Sequence, residues 1–315
     1  MLLMVAAVAI SLSCDKLRDG CPAASKVEYT DTQVEPDATI ITPILSKADF
    51  EGPVNGTTFT PSTDKIFGIT AYLGSKTPTS WVKNSQLDNE PVNSDQYGNY
   101  IFNEKKYYPK DYKMYFYAYS PMVNCTYTPG NETQHPYVTY SLTGREDILW
   151  SKNDTGIGKN LEEGKQSQPD FQFTHKLQRV MFSIKRTEKV ASTATLSEIR
   201  INNLKTKAIL DLITGELTFE ENPDKKYLSV AYNKNITTSY FDIPYDLMFQ
   251  AGIQTLDITV VIDGIHYNGN VTLAGDNAAG AGYKHLLKMT IDGTVLQLTA
   301  PQIVDWESYS TQGNI

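Results

Sequence analysis

The residue with the clearest chemistry in this 315-residue chain is Cys14. The mostly apolar run MLLMVAAVAISLS stands directly before it, and the polar stretch DKLRDG follows. The run is too short to span a bilayer, which takes about 20 apolar residues, and has the length of a secretory leader. A cysteine at the end of such a run is typical of an exported lipoprotein. We expect residues 1–13 to be a signal peptide and the Cys14 thiol to carry a lipid anchor; an ordinary signal peptide is the alternative.

Residue types that catalyse reactions or hold metals are otherwise scattered. No GxSxG, HExxH, Walker loop or paired CxxC motif occurs. The glycine-rich run at 274–282 lacks the Lys-Ser/Thr of a phosphate-binding loop, and acidic pairs such as Glu162-Glu163 fall in predicted turns. The sequence therefore predicts no enzyme, no cofactor and no metal site. The four histidines, His135, His175, His266 and His285, form no chelating pair. His175 and His285 share a strand face with apolar residues, and we expect these two to be packed and hydrogen-bonded.

Two further cysteines, Cys21 and Cys125, complete the set of three. Cys21 lies in residues 14–37, a polar stretch without periodicity that we interpret as a lipid-anchored tether. A disulfide between these two cysteines is not expected, because only one of them belongs to the folded part. Stability must then come from apolar cores and sheet hydrogen bonds.

Composition places the chain among folded, mildly acidic proteins. Hydrophobic residues make up 40%, charged residues 20%, and the formal net charge is -8. There is no basic stripe and no basic-aromatic motif, so a nucleic-acid partner is not expected. Tyrosine is abundant, with 20 residues against 11 Phe and 3 Trp, which favours pleated, half-buried surfaces.

Period-two alternation of apolar residues dominates the sequence from residue 38 onward, as in Leu256, Ile258 and Val260. Asp263-Gly264 and Asp292-Gly293 are dipeptides preferred in two-residue hairpin turns. We predict an all-β fold of two tandem antiparallel β-sandwich domains, divided within the polar stretch 155–169. The domains are 38–167 and 168–315, the second ending in a short tail. The clearest strands are predicted at 66–73, 97–102, 113–119, 137–142, 208–213, 216–219, 283–291 and 294–300.

The segment PDFQFTHKLQRVMFSIK at 169–185 resembles the fimbrillin family of Bacteroides-type bacteria, where F-x-F-x-H-x-L-x-x-V-x-F-x-I recurs. Further stretches agree in order, and the similarity spans residues 38–306. They are FGITAYL (67–73), YGNYIFNEKKYYPKDYKMYFYAYSP (97–121), DILW (147–150), LSEIRINNL (196–204), ILDLITGEL (209–217) and AGYKHLLKMTIDG with IVDW (281–306). The resemblance implies two transthyretin-like sandwiches in a non-enzymatic surface lipoprotein of the outer membrane. It would act in adhesion as a fimbrial pilus subunit or an accessory tip or anchor subunit.

The resemblance also implies assembly by β-strand addition. In the family a protease removes an N-terminal strand, and a neighbouring subunit supplies its own strand to the vacated groove. Residues 38–45, ATIITPIL, are the matching strand here, and Pro43 favours an edge position. Family members often carry an arginine just after this strand; this chain has Ser46-Lys47-Ala48, so trimming after Lys47 is the expected equivalent. A permanently paired edge strand without processing is the alternative.

The expected partners are other fimbrial subunits, the outer membrane through its lipid anchor, and a surface receptor or glycan. After Trp306 only ESYSTQGNI remains, which offers few alternating apolar side chains for strand donation. This tail favours a tip, anchor or stand-alone role. The competing hypothesis is a glycan-binding surface lipoprotein that does not polymerise, with Trp81 or Trp150 as stacking platforms. Both tryptophans are better explained as core residues.

Overall fold

The computed structural model describes residues 40–45, 67–94, 99–109, 112–158, 168–222, 224–273 and 279–304. These residues form 22 β-strands and no helix, so the predicted all-β class is confirmed. Consequently, this part of the chain offers no helix that is long and apolar enough to cross a membrane.

The first eleven strands lie between residues 44 and 186. They are β1 (Ile44–Leu45), β2 (Phe67–Leu73), β3 (Ser85–Ser94), β4 (Tyr100–Phe102), β5 (Met114–Ser120), β6 (Cys125–Thr128), β7 (Tyr137–Ser141), β8 (Leu149–Ile157), β9 (Asp170–Phe171), β10 (Thr174–His175) and β11 (Leu177–Arg186).

The remaining eleven strands are similar in length and spacing. They are β12 (Thr195–Asn202), β13 (Lys207–Asp211), β14 (Leu217–Glu220), β15 (Tyr227–Asn235), β16 (Phe241–Asp242), β17 (Leu247–Gln250), β18 (Thr255–Ile262), β19 (Ile265–Thr272), β20 (Lys284–Asp292), β21 (Val295–Leu298) and β22 (Gln302–Val304).

A six-stranded sheet in the order β10-β8-β5-β2-β3-β4 organises the first half; we call it the N-terminal sheet. Its two faces are covered differently, because successive side chains of a strand point to opposite sides. On one face Phe67, Ile69 and Phe116 belong to an aromatic-rich core, the first core. On the other face Tyr72 and Tyr117 pack around a tryptophan.

Two sheets share a second, larger core. One has the order β15-β12-β18-β19 and is called the β12 sheet. The other, called the β11 sheet, has the order β16-β11-β20-β21, with β17 on β11 and β22 on β20. Phe182 and Met289 from the β11 sheet pack in the same cluster as Ile199 and Ile258 from the β12 sheet. This pair of sheets forms the β-sandwich that the alternation predicts.

A four-stranded sheet, β14-β13-β7-β6, joins the two halves; we call it the bridging sheet. It pairs β13 with β7 in antiparallel register, from Lys207 opposite Ser141 to Asp211 opposite Tyr137. Val138, Tyr140 and Leu210 from this sheet lie in the second core. The predicted domain bounds, 38–167 and 168–315, remain a prediction, but hydrogen-bonded pairing crosses between these two ranges.

Most strand pairs are antiparallel as predicted, and two further pairs are parallel. The β11 and β20 strands run parallel over eight pairs, from Arg179 opposite Lys284 to Arg186 opposite Ile291. The short β1 and β9 strands are also parallel. Hairpin signals describe only neighbouring strands, whereas a parallel pair needs a long connection between its members. The connection from β11 to β20 runs through the β12 and bridging sheets.

Most predicted strands are present with their ends shifted by a few residues, and the hairpin turns are partly as predicted. Asp263 and Gly264 have φ of 50° and 79°, and they turn β18 into β19 as the dipeptide indicates. The second turn is shifted by one residue. Asp292 pairs with Val295 at the end of β20, so Gly293 and Thr294 form the loop. Gly293 supplies the positive φ, 61°, that such a loop needs.

Gly215 turns β13 into β14 and also makes room for an aromatic ring. Its φ is +71°, and a Cβ added there would lie 2.5 Å from ring atoms of Trp150. We expect Gly215→Ala to lower the free energy of unfolding by about 2–4 kcal/mol, from backbone strain plus displacement of the ring. Gly74→Ala is the matched control, since Gly74 has φ +79° with nothing within 4 Å of the added Cβ. If urea unfolding shows the same loss of free energy of unfolding in both variants, displacement of the Trp150 ring contributes nothing, which would contradict the close packing of Gly215 on that ring.

Candidate functional site

Residues 40–45, which we call the N-terminal segment, lie between two stretches of backbone. At its start, Ile40 forms an antiparallel bridge with Tyr107, and the Ile41 N–H donates to the Lys106 carbonyl at 2.8 Å. At its end, the Ile44 N–H donates to the Pro169 carbonyl at 3.0 Å, and β1 continues in parallel with β9. The segment is thus bonded first to residues 106–107 and then to residues 169–171. We call these two stretches the walls, and the space that the segment fills between them the slot.

Pro43 lies between these two hydrogen-bonded stretches. A proline has no N–H to donate, so it is tolerated where the segment leaves one wall and has yet to reach the other. Pro43 was predicted at a sheet edge. The structure adds that hydrogen bonds before and after Pro43 attach the segment to two other stretches of the chain. The sequence reasoning located this segment but not its walls.

The side chains of the N-terminal segment point alternately into the protein and toward solvent. Ile41 is 2% exposed and belongs to the first core, and Leu45 packs against the same core. Ile40, by contrast, is 45% exposed. This alternation is what a strand that closes one side of a core requires.

Aromatic rings form the floor of the slot. The Phe171 ring lies edge-on to Phe67 and Phe116, with centroid distances of 6.2 and 6.5 Å. Phe173 meets Phe67 at 5.6 Å, and Tyr108 meets Phe116 at 6.3 Å. These geometries are the favoured edge-to-face arrangements of aromatic pairs. Removing the N-terminal segment would place this floor next to water.

The attachment of the segment is modest in energy. Burial of one isoleucine side chain is worth about 1.5–3 kcal/mol, and each backbone hydrogen bond about 0.5–1.5 kcal/mol. Only a few such contributions hold residues 40–45, while the chain connection keeps their local concentration high. Few noncovalent contacts therefore hold residues 40–45 in place.

The site residues predicted from the sequence, Cys14 and Lys47, lie outside the described residues, as do the leader, the tether and the tail beyond residue 304. Both therefore stay predictions. Cys125 is described and carries a free, half-buried thiol.

Both tryptophans considered as glycan platforms are engaged inside the protein. Trp81 is 6% exposed, and its ring meets Tyr72 at 5.0 Å and His135 at 4.8 Å. The Trp150 Nε1–H donates to the Leu212 carbonyl at 2.8 Å, and Lys176 lies over the ring. Neither tryptophan has the free ring face that sugar stacking needs, so the interpretation as packing residues is supported.

Histidines likewise take part in local packing. His135 Nδ1 lies 2.7 Å from Asp211, and His175 Nδ1 lies 2.8 Å from Asp147. Across the described ranges, no group of three or more His, Cys, Asp or Glu side chains is placed to hold a metal ion.

Comparison with known proteins agrees with this architecture. A proposed cell adhesion protein of Bacteroides ovatus superposes with a TM-score of 0.60 at 14% identity, covering 85% of this chain and 98% of the other. A proposed cell adhesion protein of Bacteroides uniformis superposes with a TM-score of 0.57 at 17% identity, covering 86% of this chain and 99% of the other. A fimbrial protein of Bacteroides vulgatus gives 0.53 at 16% identity, with 84% and 99% covered. At these identities the likeness shows a shared fold.

Sequence comparison supplies the family. None of the curated proteins matches this chain. The model of the family described as fimbrillin-like matches residues 54–306, which is most of the chain. The match includes the second core and all of the first core except Ile41. The resemblance seen at 169–185 and in the stretches that follow it is thereby confirmed. The chain belongs to the fimbrillin-like family.

Proposed function

We propose that this protein is a non-enzymatic, adhesion-related fimbrial subunit of the cell surface, and that its N-terminal segment is a strand that a partner subunit replaces. The single observation that supports strand exchange is the seat of residues 40–45 between two backbone walls, above an aromatic core. Family membership and the names of the structural relatives support the fimbrial, adhesive role.

The physical drive for exchange lies in what the departing segment leaves behind. Its loss would free the Lys106 and Pro169 carbonyls from their hydrogen bonds and uncover the apolar floor around Phe171. An edge with unpaired backbone groups beside exposed apolar surface binds an extended chain readily. A strand with alternating apolar side chains, supplied by another subunit, restores both the ladder and the core.

Anchoring and processing complete the proposal. A lipid on Cys14 tethers the precursor to the outer membrane through residues 14–37, and cleavage after Lys47 releases the N-terminal segment. Two tandem transthyretin-like sandwiches, 38–167 and 168–315, form the folded body.

The N-terminus of the protein recovered from cells tests this proposal. We expect subunits in heat-resistant assemblies to begin at Ala48, and unassembled precursor to begin at a lipid-modified Cys14. Gel separation followed by mass spectrometry of the N-terminal peptides distinguishes the two populations. Assemblies whose subunits keep residues 14–47 would contradict exchange, and an unmodified Cys14 in the precursor would contradict the anchor.

A further inference from the structure

Two lysines converge on one tyrosine ring on the face of the β11 sheet that points away from the second core. Lys185 of β11 places its Nζ 4.5 Å from the centroid of the Tyr240 ring. Lys288 of β20 places its Nζ 5.7 Å from the same centroid. The Tyr240 hydroxyl lies 2.9 Å from the Thr290 hydroxyl, which fixes the orientation of the ring. We call these four residues the Tyr240 cluster.

Strand register brings the cluster together. Ile184 pairs with Phe241, so Tyr240, which directly precedes β16, lies beside Lys185. On the other side of β11, Ser183 pairs with Lys288 and Lys185 with Thr290. Residues two apart share a face of a strand, and Ile184 faces the core. The cluster is therefore a fixed feature of this face, built from three neighbouring strands.

Within the described part of the chain, the two positive charges of the cluster are not neutralised by a carboxylate. Among the residues that the structure describes, no carboxylate forms an ion pair with Lys185 or Lys288. Nearby Lys189 shows the usual arrangement, with its Nζ 3.0 Å from Asp292. Asp242 lies opposite Ser183 on the same face, is exposed, and pairs with neither lysine. Two adjacent cations without a counter-ion favour an anion from outside the molecule.

The exposed ring indicates which anion fits. Tyr240 is 39% exposed, so an apolar surface lies directly beside the ammonium groups. We propose that the Tyr240 cluster binds an acidic sugar residue of a surface polysaccharide. A carboxylate or sulfate substituent accepts hydrogen bonds from Lys185 and Lys288, while apolar atoms of the sugar contact the exposed part of the Tyr240 ring that the two ammonium groups leave open. Two cations on a chain of net charge -8 are too few to track a nucleic-acid backbone.

This site is independent of strand exchange. The cluster belongs to the β11 sheet, whereas the N-terminal segment closes the first core beside the N-terminal sheet. It also differs from Trp81 and Trp150, whose rings are engaged elsewhere. Failure of sugar binding would leave the proposed assembly untouched, and the reverse also holds.

Binding of the full chain to dextran sulfate, polygalacturonate and unsubstituted dextran, measured by biolayer interferometry at physiological salt, tests the proposal. We expect binding to at least one acidic polymer and none to dextran, and the preferred acidic polymer shows whether sulfate or carboxylate is the group recognised. Lys185→Gln/Lys288→Gln should weaken binding by about tenfold or more, because two charge-assisted hydrogen bonds are lost. Tyr240→Ala should also weaken it, and Tyr240→Phe should retain most of it.

The matched control is Lys226→Gln/Lys234→Gln, which removes the same charge from exposed lysines, one of them over Tyr232 at 5.7 Å. Its binding should stay close to that of the unmodified chain, and thermal unfolding should show that both double variants are folded. The proposal is overturned if neither acidic polymer binds, if the two double variants lose affinity equally, or if oligo-deoxythymidylate binds as tightly as the preferred polysaccharide. That last result would assign the cluster to unselective polyanion binding.

Discussion

Raising the pH above about 10 should unfold this protein abruptly, because folding keeps a set of phenols protonated. Burial raises the pKa of each of five buried tyrosines, Tyr72, Tyr108, Tyr117, Tyr119 and Tyr140. Several of these hydroxyls also donate hydrogen bonds that need the proton, as Tyr119 does to Asn89 at 2.6 Å and Tyr140 to the Pro121 carbonyl at 3.0 Å. The folded state therefore binds more protons than the unfolded state at alkaline pH.

The sign and size of this effect follow from proton linkage. Where the folded pKa is raised, the stabilisation is complete below the unfolded value near 10 and declines as the pH rises beyond it. Above that value each buried phenol lowers the free energy of unfolding by about 1.4 kcal/mol per pH unit, so five together lower it by about 7 kcal/mol per pH unit. The free energy of unfolding of a domain is typically about 5–15 kcal/mol, so a rise of about one to two pH units above 10 is enough to unfold the protein.

Absorbance of tyrosinate at 295 nm, recorded with circular dichroism during an alkaline titration, measures this effect. We expect the buried phenols to ionise in one cooperative step that coincides with loss of the β-sheet signal. The same titration in concentrated guanidinium chloride is the control and should follow ordinary phenol behaviour. Gradual ionisation of all tyrosines with the fold intact would contradict the assigned burial.

Truncation of Phe171 should be among the most damaging single substitutions. Its ring is fully buried and meets Phe67, Phe116 and Phe173, and its backbone pairs with Leu45 of the N-terminal segment. Phe171→Ala should lower the free energy of unfolding by about 3–5 kcal/mol, because a large cavity opens under the segment. Urea unfolding followed by intrinsic fluorescence gives this value.

Two control variants separate cavity formation from loss of any aromatic ring. Phe171→Leu keeps most of the volume and should cost well under half as much. Phe219→Ala removes a phenylalanine that is only half-buried against the second core, and it should also cost less. If Phe171→Ala lowers the free energy of unfolding no more than Phe219→Ala does, the aromatic cluster around Phe171 contributes less to stability than its packing indicates.

Short-range features of the fold could be predicted from the sequence. The alternation at 256–262 and the Asp263-Gly264 turn specify β18, its hairpin and β19, because both signals act between neighbouring residues. The alternation also indicated the all-β class, and the family resemblance supplied the N-terminal segment. The strands predicted at 208–213 and 216–219 leave Thr214-Gly215 as the turn between them, but the contact of Gly215 with Trp150 was not visible in the sequence.

Long-range pairing could not be predicted, and the candidate site depends on it. The walls of the slot, at Lys106 and Pro169, and the segment at Ile41 come from three separate stretches of the chain. Phe171 was assigned with the second half by its alternation, yet it packs in the first core. The Tyr240 cluster likewise unites three strands by register. Alternation shows that a residue faces a core, but it does not show which core or which neighbour.

Exchange of the N-terminal segment itself is the most direct test of the account. The full chain is folded with a site-specific protease sequence inserted after Lys47, then cut and incubated with excess labelled peptide of residues 38–47. A second form carries Ile44→Cys and Asp170→Cys, which face each other between β1 and β9 and can form a disulfide lock.

We expect the cut protein to take up the labelled peptide, and the uncut protein and the oxidised, locked protein to exclude it. Reduction of the lock should restore uptake, and a peptide carrying Ile41→Asp should bind poorly because that side chain enters the first core. Cut, unlocked protein that retains its original segment and takes up no peptide would contradict the claim that this strand is replaceable.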